Sequence, residues 1–159
     1  MQTYLLSALV NNHFGVLTRI SGLFARRGYN IKSLTVGETE DPKVSRMTIE
    51  FFGDEHTLAQ IKKQLLKVVD VISVSVLDDA VIRELFLVKV RADDTNRETI
   101  KGVAEIFKAK IVDVCPDSLI FEITGEESKL RAFFDMMKKY GVVEVARTGV
   151  TALARGSLD

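Results

Sequence analysis

The sequence predicts an α+β fold made of two successive βαββαβ units, each with an antiparallel sheet. Eight segments have the composition and alternation of strands, and four others carry apolar residues at helical spacing. The order strand, helix, strand, strand, helix, strand occurs twice. The only two prolines, Pro42 and Pro116, both fall between the second and third strands of their half. A unit of this kind needs about 75 residues, so the 159 residues hold two and little else.

The first half supplies the first unit. Its first strand, residues 5–10, has little polarity on either face, which predicts a central strand covered on both sides. We expect Gly28 to end the first helix and Asp54 to cap the second. The other predicted strands are residues 30–36, 46–51 and 72–76. The helices carry Val16, Ile20, Leu23 and Phe24, and then Leu58, Ile61, Leu65 and Val68.

The second half repeats this order. Thr95 and Glu98 have the spacing of a capping box before the third helix, and Gly141 is expected to end the fourth. The predicted strands are residues 83–91, 110–114, 119–124 and 142–150. The helices carry Ile100, Val103 and Phe107, and then Leu130, Phe133, Phe134 and Met137. We therefore predict two ferredoxin-like domains, residues 1–78 and 79–159.

The charge balance excludes partners held mainly by bulk charge. Lysine and arginine total 22, as do aspartate and glutamate, and each half is separately neutral when the chain is divided after Asp79. We therefore expect no nucleic acid and no membrane as a partner. RNA-recognition domains share the strand order, but their third strand carries stacking aromatics. Here the alternation predicts a polar face with Arg46, Thr48 and Glu50, and Phe52 at the far end is the only aromatic among them.

The single cysteine, Cys115, rules out a disulfide within the chain and a four-cysteine metal site. A reducing, cytoplasmic location fits best. No apolar run approaches the roughly 20 residues that span a bilayer, and the first ten residues lack the pattern of a signal peptide.

The sequence contains no group of residues with the spacing typical of a catalytic or metal-binding site. The two histidines, His13 and His56, lie in different loops, and the acidic pairs at residues 78–79 and 93–94 lie where linkers and helix caps are expected. Cys115 precedes a proline with no histidine nearby, so an inert thiol is the simpler interpretation. Gly15 and Gly22 are too sparse for a phosphate-binding loop. We predict no catalytic residues, no metal site and no cofactor in this chain.

The loop before the first helix is the remaining candidate site. A helix N-terminus offers backbone N–H groups and a favourable dipole to a carboxylate. Gly15 would let a ligand approach the backbone, and Asn12 and Asn30 offer amides to a zwitterion. Asn30 lies at the other end of the helix, so a two-fold partner would have to bring it to the ligand. Purely structural roles remain open, with Asn12 forming a turn, Gly15 serving as a turn or cap and Asn30 starting a strand.

Longer runs carry a family resemblance. Residues 12–17 and 22–36, the Asp41-Pro42 turn with residues 45–49, and the C-terminal residues 144–149 and 154–156 resemble the small regulatory subunit of acetolactate synthase (acetohydroxyacid synthase). The resemblance covers essentially the whole chain, with its most specific run in the first half. It departs at Asn11 and His13, where the family often has acidic residues.

The resemblance implies an amino-acid-binding ACT domain followed by a domain of related fold. It implies a chain without an active site that binds and activates the large catalytic subunit and confers feedback inhibition by valine or another branched-chain amino acid. The catalytic subunit is expected to hold thiamine diphosphate, magnesium and FAD, and to condense pyruvate with pyruvate or 2-oxobutyrate.

The family's effector site lies between two ACT domains of a homodimer, and its motif residues match Asn12, Gly15 and Asn30. The hypothesis is that the N–H groups from Phe14 to Leu17 hold the effector carboxylate with help from Asn12. Its ammonium group would meet Asn30 or backbone carbonyls, and Val16 and Leu34 would face its side chain. The alternative functions are a stand-alone amino-acid sensor, then a structural dimerisation module, and last an enzyme.

Overall fold

A computed structural model describes residues 1–156 of the chain and has the predicted order of elements. The first unit contains β1 (Gln2–Asn11), α1 (Val16–Arg26), β2 (Ile31–Glu38), β3 (Val44–Gly53), α2 (Glu55–Leu65) and β4 (Val71–Val76). The second contains β5 (Ala80–Arg91), α3 (Arg97–Ile106), β6 (Lys110–Cys115), β7 (Ser118–Gly125), α4 (Glu127–Lys138) and β8 (Val142–Arg147). A short strand, β9 (Thr151–Ala154), follows them.

The two units share the order of their four βαββαβ strands. The strand orders are β2-β3-β1-β4 and β6-β7-β5-β8, and every pairing along them is antiparallel. The first strand of each unit is therefore central and the second strand lies at an edge. This is the ferredoxin-like arrangement, and it confirms the predicted fold class.

Strand β1 has both faces covered, as its composition predicts. Leu6 and Ala8 are 0% exposed and belong to the core that α1 and α2 close over the sheet, while Ser7 on the opposite face is also buried. The second unit has its own core between its helices and sheet. Phe133 is its centre, with ring centroids 5.6 and 5.9 Å from those of Phe107 and Phe121 in edge-on contacts.

Two predicted helix ends are present. Gly28 has φ +69°, and its N–H donates to Ala25 O at 3.1 Å while Tyr29 N–H donates to Phe24 O, the pattern of a Schellman motif. Asp54 caps α2, since its Oδ1 accepts the Thr57 N–H at 2.7 Å. That N–H holds the pKa of the Asp54 carboxyl below its ordinary value of 3.8.

The predicted capping box of Thr95 and Glu98 is wrong. Helix α3 begins after Asn96, which makes no side-chain cap bond. Asp93 organises this turn instead, because its Oδ1 accepts the backbone N–H of Thr95 at 2.8 Å and of Asn96 at 3.2 Å. The hydroxyl and backbone N–H of Thr95 also hold the pKa of Asp93 below its ordinary value. The side chain of Asp93, three residues before the N-cap, therefore accepts the backbone N–H groups of this turn, and the predicted capping box does not form.

The predicted last strand, residues 142–150, is broken. Strand β8 ends at Arg147, and Gly149 takes φ +84°. Residues 150–156 group with the first unit, and Val150 N–H donates to Ser33 Oγ while Val150 O accepts from Thr35 Oγ1, both at 2.7 Å.

The two compact units differ from the domain boundaries expected from sequence. One holds Met1–Val81 together with residues 150–156, and the other is Ile82–Gly149. Residues 157–159 of the predicted second domain lie outside the described part of the chain.

Candidate functional site

The loop between β1 and α1, residues 12–15, is fixed to the first unit on two sides. Asn11 N–H donates to the carbonyl of Asp70, just before β4, at 2.8 Å. Asn12 N–H donates to the carbonyl of Lys43, just before β3, also at 2.8 Å. These bonds hold the loop between the β2–β3 connection and the α2–β4 connection. A loop ordered in advance loses less conformational entropy when it binds a ligand.

Asn12 is also held through its side chain. Its Nδ2 donates to Glu38 Oε1 at 3.1 Å and to Pro42 O at 2.9 Å. Both partners belong to the β2–β3 hairpin, about thirty residues further along the chain. The Asn12 amide therefore ties the loop to that hairpin, which is a structural role like the turn-forming one considered from the sequence.

The N-terminus of α1 is open to an anion. Gly15 is the N-cap with φ +87° and ψ −8°, and no side chain caps this end or places a carboxylate in its first turn. The first backbone bond runs from Arg19 N–H to Gly15 O at 3.1 Å, so the N–H groups of residues 16–18 have no partner within the helix. A Cβ at Gly15 would have no atom within 4 Å. The backbone conformation, not crowding, is what favours glycine here.

A buried carboxylate lies under this loop, and sequence reasoning missed it. The Asp70 side chain is 5% exposed, lies 2.8 Å from His13 Nε2 through its Oδ1 and forms an ion pair with Arg19 Nη1. The side chains of His13 and Arg19 are each half exposed. Because a buried carboxylate is stable only when paired, Asp70 ties the loop to the first turns of α1. The available signal was an aspartate inside the apolar run Val68–Val74, where an unpaired acid is rare.

The apolar residues of the predicted site divide into two groups. Phe14 is fully exposed and Leu17 is half exposed, so both are accessible beside the helix N-terminus. Val16 is buried in the core of the first unit, and Leu34 packs against that core. Val16 is therefore accessible to a ligand mainly through its backbone N–H. Phe14 and Leu17 are therefore more accessible to an effector side chain than Val16 and Leu34, the two residues that the sequence hypothesis assigned to it.

Asn30 lies at the opposite end of the sheet from Asn12. Ile31 is in register with Phe51, which is in register with Tyr4, eight residues before Asn12 along β1. At about 3.3 Å per residue, the separation is about 26 Å. One chain therefore cannot bring both amides to a single amino acid, in agreement with the expectation from the strand order.

Family models match both halves of the chain. The model for the AHAS small subunit-like ACT domain matches residues 6–73, and the model for the small subunit of acetolactate synthase matches residues 83–156. A probable acetolactate synthase small subunit from Methanothermobacter thermautotrophicus is 49% identical over 98% of this chain and 94% of its own length. The chain belongs to the acetolactate synthase small-subunit family.

Other relatives extend the same finding. The isozyme 3 small subunit of Escherichia coli acetolactate synthase is 48% identical over 96% of this chain and 95% of its own length. The crystal structure of the acetolactate synthase small subunit from Thermotoga maritima aligns with a TM-score of 0.93 at 43% identity, covering 99% and 100% of the two chains. The match to the ACT domain of the small-subunit family contains all seven predicted site residues, Asn12, Phe14, Gly15, Val16, Leu17, Asn30 and Leu34.

Residues considered for chemistry elsewhere in this small-subunit chain stay apart. His56 is exposed at the start of α2, and Cys115 is a partly buried free thiol with its Sγ 3.6 Å from Asp113 Oδ2. Within residues 1–156, no three histidine, cysteine or acidic side chains are grouped so as to hold a metal ion. No helix in the same range is long and apolar enough to cross a membrane.

Proposed function

We propose that this chain is the non-catalytic regulatory subunit of acetolactate synthase in branched-chain amino-acid biosynthesis. It binds and activates the large catalytic subunit, and it mediates feedback inhibition by valine or a related amino acid. The names of its relatives support the partner, and the match to an ACT domain supports an amino-acid effector. Thiamine diphosphate, magnesium and FAD belong to the catalytic subunit, and the complex is cytoplasmic.

The observation that carries the effector site is the uncapped N-terminus of α1 beside a firmly held loop. The N–H groups of residues 16–18 and the helix dipole receive the effector carboxylate. Phe14 and Leu17 are the accessible apolar side chains for its aliphatic group. The ACT domain, whose family model matches residues 6–73, thus contributes one half of the site.

A second copy of the chain completes the site with Asn30. Because Asn12 and Asn30 lie about 26 Å apart in one chain, a homodimer is needed for both to contact one ligand. Binding between two copies lets the effector favour one arrangement of the dimer over another. A tenfold change in the activity of the complex requires about 1.4 kcal/mol of difference in effector affinity between the two arrangements.

Calorimetric titration of valine into the full chain tests the site. We expect Asn12→Ala, Gly15→Asp and Asn30→Ala each to weaken binding, and equal affinity in all four proteins would contradict the assignment. Co-purification with the catalytic subunit and an acetolactate assay test the partner. Valine binding without co-purification or any rate change would instead support a stand-alone amino-acid sensor.

A further inference from the structure

The orientation of the Asn12 amide is determined by the chemistry of its partners. One end of the amide faces Glu38 Oε1 at 3.1 Å and Pro42 O at 2.9 Å. A carboxylate and a peptide carbonyl only accept hydrogen bonds, so the end that faces them must be the NH₂ group. The usual ambiguity between nitrogen and oxygen in an asparagine side chain therefore does not arise here.

This orientation makes Asn12 an acceptor towards a ligand. The NH₂ group has two hydrogens, and these two bonds use both. Oδ1 lies at the other end of the amide, and no donor within residues 1–156 is bonded to it. The sequence hypothesis had Asn12 help to hold the effector carboxylate. In this conformation Asn12 cannot donate to a carboxylate, but it can accept from an ammonium group.

We propose that Glu38 is a positioning residue of the effector site, which holds the Asn12 amide so that Oδ1 receives the effector's ammonium group. The carboxylate of the effector then lies at the N-terminus of α1, three residues further along the chain. This inference rests on the proposed function and adds to it the orientation of the bound zwitterion. The partner's Asn30 remains available to the ammonium group, which has three hydrogens to donate.

The hairpin that carries Glu38 is built to keep these acceptors in place. Thr39 N–H donates to Val44 O at 2.9 Å, and Lys43 N–H donates to Asp41 Oδ1 at 2.9 Å. These two hydrogen bonds close the turn around Pro42. A carboxylate that accepts from an amide N–H polarises it and strengthens its oxygen as an acceptor. Solvent screens the direct attraction between the Glu38 carboxylate and the ammonium group at this exposed site, so the expected role of Glu38 is to hold the Asn12 amide in place.

The test uses two ligands that differ at one group. Valine carries the ammonium group, and 3-methylbutanoate has the same carbon skeleton and carboxylate without it. Both are titrated into the full chain and followed by NMR, which measures affinities into the millimolar range. The proteins are the wild type, Glu38→Ala, Glu38→Gln and the matched control Glu40→Ala, which removes a neighbouring acid on the same hairpin. Melting temperatures confirm that each variant is folded.

We expect Glu38→Ala to raise the Kd for valine about tenfold, the size of one charge-assisted hydrogen bond, and to change that for 3-methylbutanoate less than about twofold. Glu38→Gln should stay close to the wild type because its amide oxygen still accepts from Asn12. Glu40→Ala should have no effect on either ligand.

Three results would overturn the inference: an equal loss for both ligands in Glu38→Ala, a Glu38→Gln variant as weak as Glu38→Ala, or a Glu40→Ala variant as weak as Glu38→Ala. The first result would show that Glu38 does not act through the ammonium group. Either of the other two would show that valine binding depends on the negative charge of the hairpin and not on the position of the Glu38 acceptor. A wild-type chain that binds neither valine, leucine nor isoleucine would instead overturn the proposed function itself.

Discussion

Replacing Gly15 by aspartate or by asparagine isolates the electrostatic part of the proposed effector site. The position has φ +87°, and a Cβ there would have no atom within 4 Å, so neither side chain begins from a steric clash. Asparagine and aspartate are the non-glycine residues that best tolerate this backbone region. Both variants should therefore fold with a stability loss of about 1 kcal/mol, and they differ from each other by one negative charge.

That charge would lie beside the N–H groups proposed to hold the effector carboxylate. Two carboxylates about 5 Å apart repel by about 1 to 3 kcal/mol for effective dielectric constants between those of water and a protein surface. The Kd for valine should thus be about 5- to 150-fold higher in Gly15→Asp than in Gly15→Asn. The ratio should shrink at high salt, because an exposed pair is screened.

Isothermal titration calorimetry of valine at low and high ionic strength measures both quantities, and differential scanning calorimetry checks that the variants have matching melting temperatures. The same Kd for the two variants at low salt would refute the placement of the carboxylate at this helix end. A ratio unaffected by salt would show that the effect is not electrostatic.

Three further predictions concern the framework of the two units. Arg19→Ala should lower the free energy of unfolding by about 2 kcal/mol, measured by urea denaturation, because the buried Asp70 loses a charged partner. Phe133→Ala should cost about 3 to 5 kcal/mol by the same measurement, since its ring is fully buried between two others. Asp54→Ala should lower the melting temperature at neutral pH. This difference should diminish as the pH falls below 3.8, because Asp54 becomes protonated first in the unfolded chain and then, at its lowered pKa, in the folded one.

Each of these predictions has a control or a contradicting result. Arg26→Ala removes an exposed arginine from the last turn of α1 and should change stability little. A Phe133→Ala protein as stable as the wild type would contradict the assignment of that ring to the core. The stabilisation by Asp54 is complete above the unfolded pKa and disappears as the pH falls through the lower folded value, so a melting difference that grows in acid would contradict it.

Local patterns were sufficient to predict the fold because the side chains that define each element are neighbours in sequence. Leu6 and Ala8 alternate along β1, and Gly28 follows α1 closely. The errors occurred where a neighbouring residue or a distant one prevailed over the local pattern. Asp93 replaced the capping box of Thr95, and Val150 left its expected strand to bond with Ser33, over a hundred residues earlier.

The candidate site was predictable only in part for the same reason. The position of Gly15 before a helix is visible in the sequence, and so is the loop composition around Asn12. The engagement of Asn12 by Glu38 and the pairing of His13 with Asp70 depend on contacts across the fold. Those contacts decide which end of the amide faces a ligand, so the family resemblance indicated the candidate site but left the chemical role of Asn12 undetermined.

The most direct test of the proposed function is the rate of acetolactate formation by the catalytic subunit, measured alone, with this chain and with its Gly15→Asp variant, each with and without valine. We expect the chain to raise the rate, valine to lower it when the wild-type chain is present, and the variant to activate without conferring inhibition. A rate that the chain leaves unchanged, or inhibition by valine that is equal with wild type and variant, would contradict the assignment of this chain and its α1 loop to effector control.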